Sequence, residues 1–261
     1  MENRPRGAAS ARFSVLGPLG MQCDGEDRTP SAPKVRQILA LLVLRANQVV
    51  STDALLQELW GDEPPSTALA TLHTYIYHLR RLLRRNGLSA DGADVVITRA
   101  PGYLLKVEPH QVDLTRFREL CLSGREHLDA GRHTEAVADL ESALGLWTAQ
   151  PLVNINLGPR LSAHVAELEE NWLCAVKLHV EARMRRGLHH EVIGELRSLT
   201  AQYPLDEWLH AQLIRALDLS GRRGDALRAY QGLRAALTRD LGLDPSPEVQ
   251  RLHQQVLAAG A

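Results

Sequence analysis

The sequence predicts a mainly helical chain in two parts, with its small amount of β-structure confined to roughly the first 110 residues. Three observations carry that reading. Short apolar runs broken by Gly, Pro and Asp lie at both ends of the first part. Between them, Pro65 to Gly87 has the periodicity of an amphipathic helix. From about Asp113 the pattern is helical almost throughout and echoes itself. At 261 residues, each part is long enough to bury its own core.

In order, MENRPRGAASAR is polar and reads as a disordered tail over residues 1–11. FSVLGPLGMQCDGEDRTPSAP then suggests a small antiparallel sheet with tight turns. Pro33 opens a helix, and Val35, Ile38, Leu39, Leu42 and Val43 give it helical spacing to about Ala46. Ser51 or Thr52 caps a second helix, DALLQELW, which Gly61 ends. The acidic turn GDEPP leads to Ser66 or Thr67 as the cap of the long helix. After Gly87, VVITR-APG-YLLKV reads as a hairpin. Pro101-Gly102 suits the centre of a type II turn, and Val95, Ile97, Tyr103, Leu105 and Val107 alternate on its flanks.

The long helix carries the chemistry. Leu69, Leu72, Ile76, Leu79 and Leu83 gather on one face, the spacing of a helix packed on a core. The opposite arc holds Thr67, Ala70, Thr71, Thr74, Tyr77, His78, Arg81 and Arg85, flanked by His73, Arg80 and Arg84. Short hydroxyl side chains first and arginines last is the order a helix in a DNA major groove requires. The small residues admit base edges, and guanidinium groups reach phosphates. Arginines in a last turn also complement the helix dipole in any protein, so the cluster alone does not decide.

Sheet, helix, helix–turn–helix and hairpin is the order of a winged helix. Residues 12–108 resemble the OmpR/PhoB-type winged helix-turn-helix, whose wing is written much like ITRAPGYLLKV. VVSTDALLQELWG followed by TALATLHTYIYHLRRLLRR is similar to the DNA-binding half of the Streptomyces antibiotic regulatory protein (SARP) family. That resemblance implies that the long helix enters the major groove. By position, Thr71, Thr74 and His78 then face base edges, Tyr75 stands at the groove wall, and Tyr77, Arg81 and Arg85 meet phosphates. Arg99, at the wing tip Arg99-Ala100-Pro101-Gly102, either enters an adjacent minor groove or blunts the hairpin edge as a solvated charge. The resemblance implies that Asp62 and Glu63 face RNA polymerase, including its sigma subunit; the alternative is a solvated connector.

The second part, taken as residues 111–261 after a first domain over 12–110, echoes itself at Gly131-Arg-His-Thr-Glu-Ala-Val, Gly187-Leu-His-His-Glu-Val-Ile and Gly221-Arg-Arg-Gly-Asp-Ala-Leu. Each glycine sits between two amphipathic helices, where a positive φ suits a helix C-terminus. The second and third are 34 residues apart, the tetratricopeptide period, and the first two 56. PLVNINLGP, in that longer gap, is the clear break in the helical pattern. VDLTRFREL, GRHTEAVADLESALGLW and GRRGDALRAYQGLRAALTRDLGLDPSPEVQRLHQQVL resemble the bacterial transcriptional activation domain of the same regulators. The expected architecture is an OmpR/PhoB-type winged helix followed by a tetratricopeptide-like all-α repeat domain.

Composition narrows the classes. Residues 1–112 hold 13 Lys+Arg against 11 Asp+Glu, and the remainder 17 against 20. The asymmetry is small, and the local arginine cluster matters more. Cys23, Cys121 and Cys174 never form CxxC, which fits buried thiols in a reducing cytoplasm. No apolar run approaches a membrane span, and the start of the chain lacks the apolar segment of a signal peptide. Phosphate-loop, HExxH, GxSxG and zinc-spaced motifs are absent, so no enzyme, cofactor or metal is expected. Trp60, Trp147, Trp172 and Trp208 read as core.

The expectation is a cytoplasmic transcriptional activator. The resemblance implies two copies side by side on promoter direct repeats, upstream of an antibiotic or other biosynthetic cluster, recruiting RNA polymerase holoenzyme. The rival readings are a repressor whose repeats serve dimerisation, and a ligand-sensing scaffold.

Overall fold

The computed structural model describes residues 11–90 and 93–258. The tail expected over residues 1–11 lies outside them except for Ala11, which belongs to a strand and is buried. The described residues fall into two compact units, residues 1–122 with 141–175, and residues 123–140 with 176–261. The change of pattern near Asp113 therefore marks a change of secondary-structure class, while compact packing divides elsewhere.

In the first unit, β1 (Ala11–Ser14), β2 (Gly20–Cys23) and β3 (Glu26–Asp27) form an antiparallel sheet in that order. Cys23 pairs with Glu26 across Asp24-Gly25, both at positive φ, which is how Asp-Gly closes a two-residue hairpin. Helix α1 (Pro33–Leu44) starts with its proline in the first turn. Ser51 Oγ accepts the Ala54 N–H to cap α2 (Thr52–Trp60), and Gly61 ends it at φ 65°.

Helix α3 (Ala68–Arg85) buries Ala68, Leu72, Ile76, Leu79 and Leu83. Full burial of one such Leu or Ile side chain is worth about 2 kcal/mol, so this stripe fixes the helix's rotation. Leu69, expected in the stripe, is 48% exposed, and Ala68 takes its place at the end of the face. Thr67 is the N-cap residue, yet neither its hydroxyl nor that of Ser66 bonds the first turn.

After α3 come β5 (Ser89–Ala90), β6 (Ala93–Asp94), β7 (Val96–Arg99) and β8 (Gly102–Leu105). Strand β8 lies between β7 and β4 (Val50–Ser51). The hairpin is one residue out of the expected alternation on its first strand. Val96 is buried and Ile97 is exposed, while Tyr103, Leu104, Leu105 and Val107 are all buried. Its turn also differs. Arg99 pairs with Gly102, so Ala100-Pro101, joined by a cis peptide bond, is the central pair. Gly102 is required for another reason: a Cβ there would lie 1.9 Å from the Val50 carbonyl oxygen.

The segment PLVNINLGP, which breaks the helical pattern, bonds, together with Thr148 just before it, to the loop between β1 and β2 and to α1. Thr148 N–H donates to Leu16 O at 3.0 Å and Leu152 N–H to Gly17 O at 2.6 Å. Asn154 exchanges two hydrogen bonds with the backbone of Leu19, at 2.8 and 3.1 Å, and Gln37 donates to Asn156 O. Asn154 thus saturates backbone of the β1–β2 loop that has no ladder partner among the described residues. Leu152 and the first turns of α6 (Pro159–Arg185) complete this unit's core through Leu161, Val165 and Leu168.

The second unit includes the turn between α4 (Asp113–Asp129) and α5 (His133–Leu144), closed by Gly131 at φ 73°. Leu128, Ala136, Val137, Leu140 and Ala182 form a small core there. Helices α7 (His189–Gln202), α8 (Glu207–Leu219), α9 (Arg223–Leu241) and α10 (Pro247–Ala258) follow. α8 packs on both α7 and α9, and α10 on α8 and α9. Gly187 and Gly221 have φ of 80° and 72°, the conformation expected of inter-helix glycines. None of the three cysteines is in a disulfide, and only Cys23 is buried; Cys121 is half-buried and Cys174 exposed, contrary to the expectation of three buried thiols. The four tryptophans are half-buried.

Candidate nucleic-acid interface

Burial of the Leu/Ile stripe turns the opposite arc of α3 outward. Thr67, Ala70, His73, Thr74, Tyr77, His78, Arg81, Arg84 and Arg85 are exposed, and Thr71 is half-buried. Thr71 Oγ1 donates to Thr67 O at 3.0 Å and Thr74 Oγ1 to Ala70 O at 3.1 Å. Each hydroxyl spends its hydrogen on its own helix and keeps lone pairs for an incoming donor such as a base amino group. The Tyr77 and His78 rings meet edge to face at 5.7 Å, forming one aromatic step on the arc.

The arginines divide into two groups. Arg81, Arg85 and Arg99 are exposed and form no ion pair among the described residues. Arg84 is half-exposed and pairs with Asp94 at 2.7 Å. Arg80 is turned to the wing. Its Nε donates to Val96 O and its Nη2 to Thr98 Oγ1, both at 2.8 Å, and Asp94 lies 3.7 Å away. Tyr75 turns to the other flank and stacks on Trp60, ring centroids 6.5 Å apart. Arg80 and Tyr75, read from sequence as contacts, are thus engaged within the fold.

Sequence reading missed Asp94 and Thr98, the wing partners of Arg80, because a strand carboxylate and a strand threonine announce nothing by themselves. It also missed Glu58. This side chain is 2% exposed, and its carboxylate accepts the N–H groups of Gly158, Arg160 and Leu161. The signal was available: an acid one turn after Leu55 on the buried face of α2. Asp62 and Glu63 are exposed in the α2–α3 turn and form no ion pair among the described residues. The tip of the wing is held from the side of α2, where the N–H and hydroxyl of Thr52 both donate to Pro101 O.

A recognition-sized helix with one outward polar arc, beside a hairpin tipped with a free cation, is an arrangement suited to groove and phosphate. Among the described residues no helix is long and apolar enough to cross a membrane.

Residues 26–105 match the family described as transcriptional regulatory protein, C terminal. Residues 112–257 match the bacterial transcriptional activator domain. Regulatory protein DnrI of Streptomyces peucetius is 40% identical over 251 residues, covering 95% of this chain and 92% of DnrI. Regulatory protein AfsR of Streptomyces griseus is 34% identical over 98% of this chain, which spans only 25% of AfsR. The solved structure of Mycobacterium tuberculosis EmbR in complex with a low-affinity phosphopeptide superposes with a TM-score of 0.90 at 36% identity, covering 96% of this chain and 66% of that one. A chain whose two halves match these two domains in this order, and which aligns along nearly its whole length with DnrI, belongs to the SARP family of transcriptional regulators.

Proposed function

We propose that this chain is a sequence-specific DNA-binding transcriptional activator. The observation that supports it best is the outward arc of α3, where two threonines with free lone pairs stand beside unpaired Arg81 and Arg85, with Arg99 on the wing. Thr71, Thr74 and His78 read base edges in the major groove. Tyr77, Arg81 and Arg85 hold phosphates, Thr67 contacts the backbone at the helix start, and Arg99 enters the minor groove. Arg84 joins them by exchanging Asp94 for a phosphate.

Asp62 and Glu63, on their proline-stiffened turn, offer two carboxylates to a basic surface of RNA polymerase holoenzyme. Two copies bind direct repeats spaced by one helical turn of about 10.5 bp, on one face of the DNA. Modest contact energy suffices, since about 1.4 kcal/mol changes occupancy tenfold. The genes served are those of an antibiotic or other secondary-metabolite cluster, as membership of the SARP family suggests.

Footprinting on a duplex selected from a random pool tests this reading. An activator's protection extends when polymerase holoenzyme is added, whereas a repressor's excludes the enzyme. Failure of the chain to bind any selected duplex at physiological salt overturns the proposal.

A further inference from the structure

We infer that Arg80 is a positioning residue: it braces the wing against α3 and thereby sets where Arg99 meets DNA. This deepens the DNA-binding reading above and rests on it. The wing's outer strand is β7, since β8 has β4 on its other side. β7 is therefore an edge strand, laddered on one side only, and among the described residues its other edge has no strand to hold it.

Arg80 supplies that hold. Its two hydrogen bonds fall on Val96 O and Thr98 Oγ1 of β7. Asp94 of β6 lies 3.7 Å from its Nε. Its guanidinium carbon sits 5.8 Å from the centre of the Tyr103 ring on β8. One side chain therefore touches three strands, using the planar fork that only arginine has. Arg84, bonded to the other Asp94 oxygen at 2.7 Å, buttresses the same carboxylate.

The held residue Thr98 is the immediate neighbour of Arg99, the last residue of β7. To reach a phosphate, Arg80 would have to abandon two hydrogen bonds and an ion-pair partner, whereas Arg81 and Arg85 abandon no ion pair. The side chain of Arg80 is 23% exposed, which fits a brace better than a contact.

A double-mutant cycle on DNA affinity, joined to hydrogen exchange on the DNA-free chain, tests the inference. Arg80→Met keeps the aliphatic stem and removes the fork. Arg99→Ala should cost on the order of tenfold in affinity in the parent chain and almost nothing once Arg80 is Met. Arg85→Ala should cost the same in both backgrounds. Arg80→Lys, which keeps the attraction to Asp94 without the fork, should restore part of the Arg99 effect.

Without DNA, Arg80→Met should speed exchange of the β7 and β8 amides on the order of tenfold while leaving those of α7 to α9 unchanged. Additive losses in the cycle, with a salt slope about 1 smaller, would make Arg80 itself a phosphate contact and overturn the inference. Unchanged exchange in the wing overturns it as well. If the parent chain binds no duplex, the DNA-binding reading falls, and the exchange measurement still decides the brace.

Discussion

Glu58 Oε2 accepts the Leu161 N–H at 2.9 Å, so a side chain of α2 closes the first turn of α6. The same carboxylate takes Gly158 N–H at 2.6 Å and Arg160 N–H at 3.0 Å. Helix N-termini leave orphan donors and a partial positive charge, and here an acid more than 90 residues earlier in the chain supplies both remedies. Asp113, at the start of α4, does the reverse. Its Oδ2 accepts Val15 and Leu16 N–H at 2.8 and 3.0 Å, just after β1. Burial pushes the Asp113 carboxyl above its ordinary value, and those N–H groups pull it back in part.

Glu58→Ala should therefore destabilise the first unit by about 2–3 kcal/mol, because three donors lose a buried, charged partner. Glu58→Gln keeps the shape and should cost less. Urea unfolding followed by tryptophan fluorescence measures both, and exchange at Gly158 to Leu161 should rise first. An Ala variant as stable as the parent would show that solvent replaces the carboxylate freely.

Gly102→Ala places a methyl 1.9 Å from Val50 O, a backbone atom that cannot step aside. The wing should shift off β4, with a stability loss of about 1–3 kcal/mol. The check is the melting temperature together with amide exchange at Ser51 and Tyr103, both in the paired segments.

Thr74→Ala should cost on the order of 1 kcal/mol at one base pair and nothing on random DNA. Arg85→Ala should weaken binding to every sequence alike and lower the salt slope by about 1. Binding titrations at several salt concentrations separate the two. An equal loss on random and selected duplexes would remove Thr74 from base reading.

Asp62→Ala combined with Glu63→Ala should leave DNA affinity unchanged or slightly raised and reduce transcription from a bound promoter in vitro. Full transcription by the double variant would clear the α2–α3 turn of any part in recruitment.

His210 predicts a pH dependence in the second unit. It is buried on α8, neither ring nitrogen has a partner of hydrogen-bonding geometry, and burial pushes its pKa below 6.5. The Pro204 carbonyl and Asp206 pull upward without reversing this. Because the folded pKa is the lower, the unfolded chain binds more protons in the interval, so stability falls as pH drops below about 6.5. Urea midpoints at pH 7.5 and 5.5 should differ, and His210→Leu should shrink the difference.

Much of this was legible in residues whose chemistry is local. Pro33, Ser51, Gly61, Gly131, Gly187 and Gly221 announce their turns and caps because backbone geometry demands those residue types. The period of Leu72, Ile76, Leu79 and Leu83 exposes the outward polar arc without any knowledge of neighbours. Long-range partners were not legible. Arg80 reads like Arg81 until β7 is seen beside it, and Tyr75 like Tyr77 until Trp60 is. The wing's register slipped by one because Val95-Val96-Ile97 is apolar at every position, so period two had nothing to choose between. The run Asn154-Ile155-Asn156 made sense only against the Leu19 backbone and the Gln37 side chain that it bonds.

Those same asparagines bear on protein engineering. A graft that exchanges N-terminal halves between relatives by cutting near residue 110 would strand Glu58 without its three donors and Leu19 without Asn154. Chimaeras should carry the 141–175 stretch along with the N-terminal half, and a single seam after Ala175 would in turn part Leu128, Ala136 and Leu140 from the Ala182 they pack on.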